Sequence, residues 1–221
     1  MPRVKRLVVP GVPHHVTQRG NQGQQVFFDE KDGQHYIDDL KDYAARAETK
    51  ILAFCLMPNH IHLILEPAHE DGLRAALAPV HHRHAMRLNK RDAGGGHIWQ
   101  GRFHSNAMDE SSTFAVKRYV ELNPVRSNLV NKPEAWRWSS AKHHLGLEHL
   151  DFISPSQFDW PVDKWRAFLA EGISEQELAY IRKTEMSHRV MGNDKFIDQL
   201  ERQTGLNLRP AKRGRPPKHQ S

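Results

Sequence analysis

Apolar and polar positions alternate in two different periods along the first part of the chain, and the switches between them mark out the elements. "HHVTQRGN" (14–21) has the β-branched content of a short strand and turns at Gly20 and Asn21. Residues 29–50 change to a helical period, with Tyr36, Leu40, Tyr43 and Ala47 making one apolar stripe. "ILAFCLM" (51–57) is a short continuous apolar run, as expected of a buried central strand. Pro58 and Asn59 form a turn dipeptide, and "HIHLILE" (60–66) follows as a second strand, so 51–66 is predicted as a hairpin. Residues 71–91 are mostly helical, with a kink expected at Pro79, and 92–97 read as a loop. "IWQGRFHSNAMD" (98–109) contains a further strand. A helix over 111–123 opens on Ser and Thr capping residues and is stopped by Pro124.

The order is β-α-β-β-α-β with an added helix. It predicts an α+β, ferredoxin-like antiparallel sheet with two helices on one face. The added helix is then free to cover the other face. Past Asn128, Trp136 and Trp138 are expected to pack the chain back on the sheet. A second block begins near Pro161. It contains a capping box at Ser174 and Glu177, and a helix bounded by Asn193 and Gly205. The two helices flanking "RVMG" read as a packing hairpin in preference to a helix-turn-helix. The expected organisation is a sheet domain over 1–150, a helical extension over 151–205 and a basic tail over 206–221. The tail carries Arg209, Lys212, Arg213, Arg215 and Lys218 with no carboxylate, and its Pro content and lack of apolar period predict disorder.

Composition narrows the classes. The 221 residues carry a formal charge of +6 and an isoelectric point near 9.5, which favours an anionic partner, with nucleic acid first. The single cysteine, Cys55, excludes a disulfide framework and a cysteine zinc site within one chain. Together with the lack of a signal peptide or a membrane-length apolar run, it points to the cytoplasm.

Histidine is the outlier, with 16 residues. His60 and His62 lie two apart on a predicted strand, so both rings project to the same side. Ile61, Leu63 and Leu65 project to the side of the two packed helices. Two neutral imidazoles on a rigid strand are a ligand pair for a divalent metal. The bland alternative is two hydrogen-bonded histidines on a half-exposed face. His82 and His84 lie on a helix, where residues two apart do not share a face, and read as a solvated or phosphate-facing pair. On the last helix of the sheet domain Tyr119 and Asn123 are four apart and share a face. Asn123 is thereby a candidate oxygen ligand, and Lys117 and Arg118 are candidate phosphate contacts. Taken alone, Tyr119 reads more readily as an amphipathic core residue than as a nucleophile.

"LMPNHIHLILEP" followed by "KRYVELNPVRSNLV" resembles the single-tyrosine HUH transposases, in particular the REP-associated tyrosine transposases, relatives of the IS200-like insertion-sequence enzymes. The resemblance runs over about residues 8–140 and includes "HHVTQRGN" and "WQGRF". It implies a bacterial DNA strand-transfer enzyme with His60 and His62 on a metal and Tyr119 as nucleophile. The intermediate would be a 5′-phosphotyrosine. Asn123 falls where insertion-sequence enzymes often carry a glutamine ligand, one methylene longer, which leaves direct and water-mediated contact both open. Mg2+ or Mn2+ is the implied ion. Single-stranded or hairpin DNA is the implied partner, with Arg19, Arg102, Lys117, Arg118 and Arg126 as backbone contacts. "KRGRPPK" resembles an AT-hook, which makes Arg213 and Arg215 minor-groove candidates; a solvated basic tail is the other reading. A monomer is favoured over a dimer that exchanges the tyrosine helix. Two rival functions stay open: a non-catalytic hairpin-DNA binder, and a metal nuclease that activates water.

Overall fold

The computed structural model describes residues 6–91, 95–185 and 190–209. Strands β1 (His14–Arg19), β2 (Thr49–Met57), β3 (His60–Pro67) and β4 (His104–Ala107) form one antiparallel sheet in the order β2-β3-β1-β4. That is the ferredoxin-like arrangement the sequence predicts. β3 and β1 are central, and Thr17 pairs with His62 and His15 with Ile64. A β-bulge between Ile51 and Ala53 shifts the register of β2. Leu52 and Ala53 both enter the core on one face, while Ile51 and Phe54 enter the other.

Helices α1 (Glu30–Arg46) and α2 (Gly72–Arg91) cover one face. Asp29 starts α1 by accepting a bond from the Asp32 amide. Tyr36, Leu40 and Ala44 then pack on Val16, Ile61, Leu63 and Leu65, the face the alternation assigns to the helices. Pro79 sits inside α2, which continues through it. His82 is exposed, but His84 is buried with Nε2 2.7 Å from the Val26 carbonyl, so the solvated reading fails for His84. Its helix face is the one that meets the Val26 loop.

Helix α3 (Glu110–Glu121) covers the opposite face. Asp109, rather than the expected Ser or Thr, caps it by accepting from the Ser112 amide. Phe114, Val116, Tyr119 and Val120 meet Cys55, Met57 and Ile64 in a second core. A single-turn helix α4 (Asn123–Arg126) follows, with α5 (Ala141–His144), α6 (Val162–Ala170), α7 (Glu175–Glu185) and α8 (Asp194–Thr204). Trp136 and Trp138 do fold back. Trp136 Nε1 donates to the Leu56 carbonyl, and the Trp138 carbonyl accepts from the Leu56 amide. A Cβ on Gly33 would sit 2.7 Å from the Trp138 ring, so only glycine lets α1 approach it there.

The extension shares the second core. Trp165, Leu169, Ile181 and Met191 pack with the α3 residues, and α8 packs through Leu200 on Val9 and Ala107. Ser174 and Glu177 form the expected capping box, and Gly205 ends α8 at φ +66°. α7 and α8 thus bury their apolar residues against different partners. Among the described residues, no helix is long and apolar enough to cross a membrane.

Candidate active site

β1 and β3 aim three histidines at the α3 face. Directly paired residues of antiparallel strands share a face, so His15, two residues from Thr17 in the Thr17↔His62 pair, lies on the same face as His62. His15 Nε2 and His62 Nδ1 lie 3.0 Å apart with the rings stacked. His60 is half-buried, its ring edge-on to His62 at 4.9 Å between centroids. His60 Nδ1 lies 2.6 Å from Asn59 Oδ1. That oxygen only accepts, so Nδ1 carries the proton and Nε2 keeps its lone pair. Tyr119 projects from α3, with its ring 5.5 Å from His62 and 6.2 Å from His15, edge to face in each case.

The other side is closed by the end of α7. Glu185 Oε1 lies 3.4 Å from His62 Nδ1. Ligand atoms of His15, His62 and Glu185 all lie within 4.8 Å of one another. The last turn of α7 is tied to the sheet by Asn106 Nδ2, which donates to the Thr184 carbonyl at 3.0 Å.

Burial sets the protonation states. Desolvation pushes His15 down to about 3. It pushes His60 to about 4, with Arg19 and Arg126 adding to the effect. His62 falls well below its ordinary value through desolvation, then through His60, His15 and Arg126. All three rings are therefore neutral at pH 7 and offer lone pairs. Desolvation, reinforced by Glu185, raises the Tyr119 phenol to about 12, against the pull of Arg126 and Arg182. Desolvation raises Glu185 to about 7, opposed by Arg126, Arg182 and Arg19. The donor set of imidazole nitrogens and a carboxylate fits a divalent cation.

The sequence-derived candidates divide. His60, His62 and Tyr119 are brought together. Asn123 is not joined to them by any described hydrogen bond. α3 ends before it, its Oδ1 lies 3.5 Å from Ser127 Oγ, and its Nδ2 is buried without a partner. Arg19 and Arg102 are exposed. Arg126 lies over the Tyr119 ring at 4.1 Å and donates to the Tyr119 carbonyl, so it braces the Tyr119 helix from inside. Lys117 and Arg118 are corrected. They are 3% and 5% exposed, and are paired with Asp159, and with Glu171 and Glu177. Their helix face meets the extension, which sequence spacing does not reveal. Arg213 and Arg215 lie outside the described residues. Sequence reasoning missed His15 and Glu185. The predicted topology places β1 beside β3, but which β1 residue meets His62 depends on the register, which the sequence does not give. Glu185 carries no local signal.

A profile of the family described as "Transposase IS200 like" matches residues 9–123, 115 of the 221. The chain belongs to the IS200-like transposase family. The matched segment contains His15, His60, His62, Tyr119 and Asn123, and Glu185 lies beyond it. A Haemophilus influenzae protein named as a REP-associated tyrosine transposase is 26% identical over 111 residues, covering 44% of this chain and 61% of that protein. The chain thus spans about three-fifths of that relative's length. Among solved structures, a REP-associated tyrosine transposase bound to a REP hairpin has the same fold. It gives a TM-score of 0.52 at 19% identity, covering 73% of this chain and 92% of that one.

Proposed function

We propose that the protein cuts and rejoins single-stranded DNA at hairpin repeats through a covalent link to Tyr119. The observation that carries this is the Tyr119 ring standing 5.5 Å from His62 on the histidine face of the sheet. A hydrolase that activates water has no need of a phenol there. Family membership and the hairpin bound by the structural relative support DNA as substrate.

The chemistry follows from the parts. Tyr119 Oη attacks the scissile phosphorus, the bond from phosphorus to the 3′-oxygen breaks, and a 5′-phosphotyrosine forms. The phenol gives up its proton and the departing oxygen gains one, leaving a 3′-hydroxyl. A second 3′-hydroxyl reverses the step, so strands are exchanged without ATP. His60 and His62 would hold a divalent ion, Mn2+ or Mg2+, which would supply polarisation of the phosphate and stabilisation of charge on the leaving oxygen. Arg126 and Arg182 oppose the upward shift of the phenol. Exposed Arg19 and Arg102 are the backbone contacts. Asn123 acts through water, and the basic tail adds minor-groove anchoring. Because α3 is held by its own extension, Tyr119 serves the histidines of its own chain. The enzyme then works as a monomer, in the bacterial cytoplasm.

The test is a denaturing gel of protein incubated with Mn2+ and a labelled single-stranded hairpin oligonucleotide taken from repeats flanking the gene. Wild type gives a slow-migrating adduct that chelator abolishes and Tyr119→Phe lacks. Cleavage surviving Tyr119→Phe without adduct leaves a water-activating nuclease. Binding without cleavage leaves a hairpin-binding protein.

A further inference from the structure

Arg126 is a cation without a counter-ion beside the reacting groups. It closes the single-turn helix α4, directly after the Tyr119 helix. Its guanidinium lies 4.1 Å over the Tyr119 ring, and its charge also reaches His60 and His62. We infer that Arg126 is a catalytic residue that binds the non-bridging oxygens of the scissile phosphate next to Tyr119. The inference rests on the strand-transfer reading for the reaction, and on the unpaired guanidinium for the binding.

Other cations that the fold buries in whole or in part show what Arg126 lacks. Arg87 is paired with Asp39, Lys117 with Asp159, and Arg118 with Glu171 and Glu177. Arg126 is half-buried and has no carboxylate at ion-pair distance among the described residues. Its guanidinium makes one hydrogen bond there, from Nη1 to the Tyr119 carbonyl at 2.9 Å, while Nε is buried without a partner. Desolvation lowers its proton affinity from the ordinary arginine value, and Arg182 adds to the effect. A charge kept out of water without a partner is costly, and the cost falls when an anion arrives. Bracing the helix explains only part of this placement. The bond to the Tyr119 carbonyl uses one N–H of the guanidinium fork and leaves the others over.

A phosphodiester supplies what those donors need. Its non-bridging oxygens share a negative charge, and the planar fork of a guanidinium matches them in pairs. When Tyr119 Oη bonds to phosphorus and the 3′-oxygen departs, charge builds on these same oxygens. A cation already fixed beside them stabilises that arrangement more than the starting ester. Arg126 itself neither forms nor breaks a covalent bond. One residue thereby holds the phenol by its ring and the phosphate by its oxygens, side by side. Arg126 falls outside the family-matched segment, which ends at residue 123.

The contact is read on wild type in chelator from the 15Nε–1H signal of Arg126, identified by its proximity to the Tyr119 ring. Hairpin oligonucleotides are added whose flanking strand is shortened one nucleotide at a time. The signal is expected to move until one particular phosphate is removed, and to stay in place with every shorter oligonucleotide. A signal that moves with none of them, or equally with the bare hairpin, overturns the inference. The catalytic role is read from single-turnover adduct formation with Mn2+ at saturating DNA. Arg126→Ala is expected to lose roughly 100-fold or more in rate, with hairpin affinity within about threefold of wild type. A rate loss below about threefold in a folded Arg126→Ala overturns the role. Should that variant fold poorly by circular dichroism, the wild-type signal decides. If wild type forms no adduct while the Arg126 signal still singles out one phosphate, strand transfer falls and the phosphate contact stands.

Discussion

Tyr119, the proposed nucleophile, is held in an unreactive form by the free protein. Burial raises its phenol to about 12, so at pH 7 the reactive phenolate is rare. Each unit of pH below that value changes the phenolate fraction tenfold. The initial rate of adduct formation at saturating Mn2+ should therefore rise close to tenfold per pH unit between about pH 6.5 and 8.5. Rapid-quench sampling of the labelled adduct measures this. A flat profile would show that phenol deprotonation does not limit the step. The histidines were legible in part at this scale. Period-two alternation put His60 and His62 on one side without any structure. It could not say that His15 would touch His62, because that depends on the β1–β3 register. Glu185 was out of reach, since 123 positions separate it from His62 and only the packing of α7 joins them.

Helix α3 carries Tyr119 on one side and anchors the extension on the other. Glu121 is fully buried yet holds its proton less tightly than an ordinary glutamate, because His144, Lys117 and Trp165 outweigh the desolvation. It accepts from Ser140 Oγ at 2.8 Å and from Trp165 Nε1 at 2.9 Å, and is paired with His144. Arg118 stacks on Phe168 at 3.8 Å and bonds Glu177 at 2.7 Å. A consequence separates this bracing role from DNA contact. Arg118→Ala should cost about 1–3 kcal/mol, discounted because its carboxylate partners are partly exposed. It should leave hairpin affinity within about twofold when measured below its melting temperature. Arg19→Ala should do the reverse, weakening binding and lowering the salt slope by about 1. Thermal melts and salt-dependent binding curves together check the pair, and the opposite assignment of effects would restore Arg118 as a DNA residue. The elements themselves were readable because each has its own period and punctuation. Which charged face of α3 would be covered was not, since "KRYVEL" looks the same whether its cations meet solvent or a later helix.

At the scale of the whole molecule, the fold stores neutral histidines in its interior. Desolvation holds His14 near 4, and His15 and His81 near 3. Unfolded histidines take up protons near pH 6.5, while these do not until well below it. The unfolded state thus binds more protons across that window, and stability falls as the pH drops below about 6.5. Each such histidine contributes up to about 1.4 kcal/mol per pH unit. Melting temperatures measured from pH 7.5 down to 5 should hold steady at first and then decline steeply. A protein equally stable at pH 5 and 7 would contradict the neutral, buried assignment. The topology was legible as a whole because a β-α-β-β-α-β order has few antiparallel solutions. The merging of the extension into the α3 core was not, because Trp165, Ile181 and Met191 reach it only in three dimensions.

The central claim is that Tyr119 takes the DNA strand. Its most direct test is mass spectrometry of the trapped adduct after nuclease and trypsin digestion. The account predicts a peptide running from Tyr119 to Arg126 whose mass is raised by a residual nucleotide and whose fragments place the phosphate on Tyr119. A DNA-linked peptide from elsewhere in the chain, or cleaved DNA with no linked peptide, would contradict it.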